Sequence, residues 1–492
     1  MSILTFIILL PILTAAAILL GAPARKTALA GSAVTLLLSV IALLGYNQAA
    51  GGFQFQSAIE IVPGWDLKFY VGADGLSLVL ILLATLVTHA AVWVSPIGVK
   101  SENAFYACVI LIAAGAIGAF ASLDLFFFYA FHELALIPTF LLIGIWGSGD
   151  RFAAAWNITV YLALGSIVLL VGIIGLYQMM LVGQRTFDIV KLQQLAASHQ
   201  LNLTNANWVY LCLLIGFGIL ISLFPFHTWA PQAYASAPTP AAMLHSGVLK
   251  KFGLYGLLRI AVPILPEAAQ HWTNLLLIML AGNVLWVGLA TIAQRKLDWM
   301  IGYASVMHAG YIFLGIAALN IIGFNGAAFL IFSHGIAVAA LFAISGKLRE
   351  QTGTLTLKEL GGIAKTAPFL GIAFGFAGFA AIGLPGFGNF ASELMIFFGA
   401  FKTGTGAPLT NFQIVTVISL WGAVISAIFM LRAYSAVFMG EPQKRWSKIT
   451  DATAATRWPL LMLLGVLMLA GFYPQFFLNF IQPSMKALLA LF

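Results

Sequence analysis

Apolar runs of about 20 residues recur along the whole chain and limit what it can fold into before any motif is considered. Residues 3–20 form one, LSLVLILLATLV at 76–87 is the core of another, and FLIFSHGIAVAALFAI at 329–344 of a third. A helix of that length crosses a hydrocarbon core of about 30 Å. A membrane barrel would need strict alternation instead, and the runs have none. Charged residues make up 8% of the chain, against about 25% in soluble domains. The expected fold is therefore all-α and polytopic.

Hydropathy places about fourteen crossings near 2–21, 27–46, 76–95, 103–121, 124–146, 153–181, 207–228, 241–261, 272–293, 299–319, 321–346, 367–401 with a break, 411–438 and 458–482. When the loops are assigned alternately, one side collects roughly fifteen lysines and arginines, among them Arg25, Lys26, Arg295, Lys296 and Lys347. The other side receives about six: Lys68, Arg185, Lys191, Arg259, Lys402 and Lys486. The positive-inside rule puts the richer side in the cytoplasm and both termini on the outer, periplasmic face.

Several function classes drop out. The net charge of +8 is spread over short loops without a basic tract, so no nucleic-acid partner is expected. Cys108 and Cys212 stand singly, which leaves no ligand set for a metal or an iron–sulfur centre in this chain. The first run lacks a basic lead-in and reads as a transmembrane helix rather than a cleaved signal. No phosphate-binding glycine loop follows a strand. The lipid bilayer is the one partner that composition guarantees.

Two runs are interrupted. The seventh breaks over Pro225, Pro231, Pro238 and Pro240, and the twelfth breaks at GLPGFG, residues 383–388. Such breaks are tolerated at membrane depth only where the freed backbone meets protein or a wet cavity. Each is the fourth helix of a run of five, 103–262 and 272–438, and because five is odd the second unit would lie inverted relative to the first. Residues 1–102 then form an N-terminal set of three helices, and 439–492 a cytoplasmic loop with the last crossing.

Ionisable residues lie beside these breaks. A lysine at bilayer depth costs about 2.5–3.5 kcal/mol on insertion scales, so such groups are functional by default. Glu133 stands about ten residues into an apolar helix, where it is either a neutral carboxyl bonded to a neighbour or a proton carrier. Lys250 and Lys251 are consecutive and point about 100° apart, so they face different partners and one of them is free to snorkel or meet a neighbouring subunit. His227, His245, His308 and His334 lie on or near the central helices, each either a helix-to-helix hydrogen bond or part of a hydrated row. Asp74, Asp124 and Arg432 lie near helix ends and suit capping or anchoring. Trp93, Trp146 and Trp458 suit the membrane interface.

These stretches resemble the antiporter-like membrane subunits of respiratory complex I, of the subunit M or chain 4 type of NADH:quinone oxidoreductase. The resemblance is carried in order by VGADGLSLVLILLATLV at 71–87, HELALIPTFLLIGIWG at 132–147, FPFHTWAPQAYASAPTP at 224–240 and GVLKKFGLYGLLR at 247–259. It continues with YASVMHAGYIFLGI at 303–316, FLIFSHGIAVAALFAISGKL at 329–348 and GLPGFGNFASELMIFFG at 383–399. It implies a proton path from Glu133 through Lys251, His308 and His334 to Glu393, driven by redox chemistry elsewhere. Flavin, iron–sulfur clusters and quinone would belong to partner subunits, and L-type and N-type antiporter-like subunits would be neighbours in a bacterial cytoplasmic membrane. Cation/proton antiporters, membrane-bound hydrogenases and carbon-uptake complexes reuse the same fold and stay open as alternatives.

One departure stands out. The family pattern on the seventh helix is GFxxKxPxxPxH, whereas this chain reads GFGILISLFPFH. Leu220 and Ser222 replace the lysine that pairs with the fifth-helix glutamate and the first proline. Lys250, His245, His132 and His227 are the candidate substitutes, and a channel-impaired structural spacer is the further alternative.

Overall fold

The computed structural model describes residues 2–403 and 408–492. Among the described residues, eleven helices are long and apolar enough to cross a membrane. Ile3–Leu19 is a shorter apolar helix. Two further segments are hidden by irregularity. Residues 239–264 run as one helix widened into π-type turns over His245–Leu249 and Leu257–Ala261. Pro368–Ile382 and Gly388–Lys402 are the halves of a broken helix.

Gly75–Val94, Leu297–Ala317 and Ile321–Thr352 are buried along nearly their whole length and form the centre of the bundle. The helix Arg151–Gln178 lies outside them. Its exposed residues Trp156, Val160, Leu164, Ile167, Val171 and Ile174 recur every three or four positions, which draws one stripe down a helix and turns it toward lipid. Glycines set the close approaches on the inner side. A side chain at Gly247 would meet the carbonyl of Gly335, so the helices carrying Lys251 and His334 touch backbone to backbone.

The first break follows from Ser222, whose φ of 69° ends the helix Ala206–Ile221 in a left-handed turn before the chain resumes as Trp229–Ser236. The backbone groups this frees are recovered by side chains. Asn283 accepts from the Phe224 amide at 2.7 Å and donates to the carbonyls of Ser222 and Val306 at 3.2 and 2.9 Å. The Trp229 indole donates to the Ile219 carbonyl at 3.1 Å.

Three features depart from the sequence expectation. The last crossing, expected over 458–482, stops at Phe472, and Pro474–Leu489 is a separate amphipathic helix. Pro474 has no N–H to continue the ladder and drives Tyr473 out of helical geometry, to φ −133° and ψ 63°. The fold is not purely helical: Gln54–Val62 and Leu67–Ala73 pair as an antiparallel hairpin. Arg259, expected in an outer loop, is 2% exposed inside its helix and pairs with Asp74 at 2.6 Å. Asp74 also caps Gly75–Val94 through the Ser77 amide, so one carboxylate starts one helix and ties it to another.

The hairpin is held to the surface helix Ile189–Ala197 through Asp66, which accepts from Lys68 at 2.5 Å, Thr186 at 2.7 Å and Lys191 at 3.0 Å. Burial pushes the Asp66 carboxyl up, but these donors outweigh it and hold it at about 2, below its ordinary 3.8. Because the folded value is depressed, the stabilisation is present above about pH 4 and is lost as pH falls through about 2. Amide-exchange protection of residues 54–73, relative to the central helices, is expected to drop across that window. Asn283→Leu removes the side-chain partner of the Phe224 amide and the Ser222 carbonyl at the break and is expected to cost about 2 kcal/mol, read as a lower thermal midpoint in detergent.

Candidate functional site

Lys251 lies on the short helical stretch Lys251–Gly256, directly after a π-type turn and deep among the central helices. Its Nζ is 2.9 Å from His334 Nδ1. An ammonium donates to a bare imidazole nitrogen, and a neutral amine accepts from a protonated one, so a single proton can pass along this contact. The His334 ring lies 5.3 Å from the His308 ring, centre to centre. Lys250 points elsewhere, its Nζ donating to the Ser305 carbonyl at 3.0 Å. Both lysines are 1% exposed, so neither snorkels to the interface or to a neighbouring subunit. Their divergence follows from the helical step between consecutive residues.

His308 is held between two carbonyl oxygens, Ala304 at 2.7 Å from Nδ1 and Ala381 at 2.7 Å from Nε2. The Ala381 carbonyl comes from the last turn before the second break. Its helical donor would be residue 385, a proline without an N–H. A neutral imidazole has one N–H and satisfies one of the two oxygens, whereas the protonated ring satisfies both. The orphaned carbonyl of the broken helix thus supplies one of the two oxygens that face the His308 ring.

Glu393 is 5% exposed on Gly388–Lys402, and its Oε1 has no hydrogen-bond partner among the described residues. The carboxyl lies against Gly383, whose φ of 80° and contact with Glu393 both demand glycine. Tyr311 lies near both groups, its ring 5.7 Å from the His308 ring and its hydroxyl within electrostatic reach of Glu393. At the other end Glu133 accepts a hydrogen bond from the Ser166 hydroxyl and lies 3.6 Å from His132. His132 stacks on Phe252, the residue after Lys251, with ring centres 4.3 Å apart.

The candidate residues thus fall into three groups. Lys251, His334 and His308 touch in series, and Glu393 lies beyond them with Tyr311 alongside. Glu133 is joined to His132 and Ser166. Of the candidate substitutes, His132 alone stands at ion-pair distance from Glu133 among the described residues. His245 lies between the rings of Trp229 and Tyr234, each 5.6 Å away, and His227 stacks on Phe224 at 5.5 Å. Both nitrogens of His245, Nδ1 of His227 and the hydroxyls of Tyr234 and Tyr311 lack hydrogen-bond partners among the described residues.

Residues 122–426 match the family described as NADH:quinone oxidoreductase/Mrp antiporter, TM. The chain belongs to this family. It is 32% identical over 466 residues to the F(420)H(2) dehydrogenase subunit M of Methanosarcina mazei, covering 94% of this chain and 92% of that one. It is 32% identical over 479 residues to the NADH-quinone oxidoreductase subunit M of Rhodobacter capsulatus, covering 94% and 90%. A chain of respiratory complex I from Thermus thermophilus with bound NADH superposes with a TM-score of 0.90 at 28% identity, covering 99% of each chain. The polar groups of this chain lie within a multi-pass helical bundle.

Sequence reading does not single out Tyr311, Ser166, Ser305 or Asn283. Tyr311 is the one with a usable signal, since it follows His308 by three residues and shares its helix face. The serines and the asparagine are uncharged residues in apolar runs, and only tertiary contact gives them partners. Gly383→Val is expected to displace the Glu393 carboxyl and to cost roughly 1–3 kcal/mol from the backbone alone, measured as a fall in the thermal midpoint of the detergent-solubilised protein.

Proposed function

We propose that this chain is a proton-translocating, antiporter-like membrane-arm subunit of a complex I type NADH:quinone oxidoreductase. The observation that carries the reading is the contact series Lys251, His334, His308, which starts on the helix after the first break and ends on a carbonyl of the second. Protons would load at Glu133, pass the central lysine and histidines, and leave by way of Glu393. The lysine suits a relay because its amine gives up a proton readily when buried. Charge movement started by redox chemistry in partner subunits would drive the series, with flavin, iron–sulfur clusters and quinone held there.

The two broken helices support reading 103–262 and 272–438 as five-helix units of opposite orientation, the arrangement in which discontinuous helices pair around a midplane site. L-type and N-type antiporter-like subunits are the proposed neighbours. The lysine and arginine asymmetry supports a bacterial cytoplasmic membrane location with both termini periplasmic.

A second reading rests on the family description, which also covers Mrp antiporters. In a cation/proton exchanger the same row would work without redox partners, so co-purification of flavin and iron–sulfur subunits decides between the two. Lys251→Ala and Glu393→Ala are each expected to lower proton pumping about tenfold or more, while NADH oxidation by an artificial electron acceptor is unchanged. Normal pumping by both variants overturns the relay.

A further inference from the structure

The reading of Glu133 as a proton carrier leaves open what faces its charge, because the position the family fills with lysine holds Leu220. Leu220 is 3% exposed and packs, with Ile219, against Gly165. Gly165 is the residue before Ser166, whose hydroxyl donates to Glu133. Leu220 thus packs on the sixth helix one residue away from the serine that bonds Glu133, and it brings no charge there. Lys250 does not make up for this, since its ammonium is bonded to Ser305 on another helix.

His132 meets the requirement. Its Nδ1 is 3.6 Å from Glu133 Oε1, within ion-pair range and beyond hydrogen-bond range, and this nitrogen is buried without any other partner among the described residues. Neighbours on a helix ordinarily diverge by about 100°. Here His132 turns inward, 2% exposed, while Glu133 leans toward Ser166, and the two side chains still face each other. The ring is fixed from the other side by Phe252 at 4.3 Å. The groups around the pair are Tyr129 one turn earlier, Ser166 from the sixth helix, and Phe252 and His245 from the eighth. Among these, only the two histidines can carry positive charge, and His132 is the one in reach of the carboxylate.

We propose that His132 is the charge partner of Glu133, in the part that the family pattern gives to a lysine at position 220. The inference rests on the proposed translocating function and adds to it the identity of the cation at the first half of the path.

The test uses the intact complex in proteoliposomes. His132→Phe keeps an aromatic ring able to stack on Phe252, somewhat larger than imidazole, and removes the ring nitrogens. Its proton-to-electron ratio is expected to fall about tenfold, with NADH oxidation by an artificial acceptor unchanged. A cation restored by Leu220→Lys in the His132→Phe background, or at the same position by His132→Lys, is expected to return most of the pumping. A role in packing alone would not respond to the charge at 220. Pumping by His132→Phe at the unaltered level, or failure of both cation-restoring variants in complexes assembled to normal amounts, overturns the proposal. Lys251→Ala and Glu393→Ala in the same preparation separate the two claims. Impaired pumping there beside normal pumping in His132→Phe removes the His132 assignment alone, and normal pumping in all of them removes the translocating function with it.

Discussion

Inside a bilayer no water stands ready for a backbone N–H or C=O that loses its helical partner, and each such group must find another within the protein. The two interrupted helices of this chain meet that demand in different ways. At the first break an asparagine from a neighbouring helix takes one amide and two carbonyls, and an indole takes a third carbonyl. At the second, the carbonyl that Pro385 leaves orphaned is met by His308. A structural repair thereby becomes a protonatable contact, and the helix break and the polar row are two aspects of one arrangement.

Charge placement follows the same economy. Arg259 and Asp74 are both nearly inaccessible and pair with each other, Asp74 also capping a helix and Arg259 lying over the Phe53 and Tyr255 rings. A pair of this kind holds helices in register. Lys250, Lys251 and Glu393 are as deeply buried but face neutral groups, a carbonyl, an imidazole and a glycine backbone. Lys251 lies on the helix that follows the first break, and Glu393 on the half-helix that resumes after the second. The two kinds of group differ in their partners, since burial is common to both.

Much of this was legible in the residues. Run length and scarcity of charge fix the class, prolines and glycines mark both interruptions, and an ionisable residue within an apolar run is conspicuous wherever it falls. The end of the fourteenth helix was readable too, since Pro474 stands in the sequence, but hydropathy alone runs past it. The hairpin is hidden because it falls in the gap between two crossings, 47–75, where hydropathy marks a loop and says nothing of strand pairing. Ser166 and Asn283 are hidden because a single uncharged polar residue in an apolar helix is compatible with many roles, and the role is set by which carbonyl or carboxylate lies opposite.

What the chain alone determined is that it must fold as membrane-crossing helices with two weak points and a set of ionisable groups near them, since the cost of exposing backbone or charge to hydrocarbon admits little else. Which of those groups meet was decided by packing. Lipid and protein interior are both apolar, so a helix such as Arg151–Gln178 carries no polar face to declare which side turns inward, and rotation about its axis is set by glycine contacts and hydrogen bonds from other helices. That rotation brings Ser166 to Glu133. A widened turn before Lys250 likewise sends two adjacent lysines to different neighbours, an outcome of three-dimensional fit that composition and spacing do not contain.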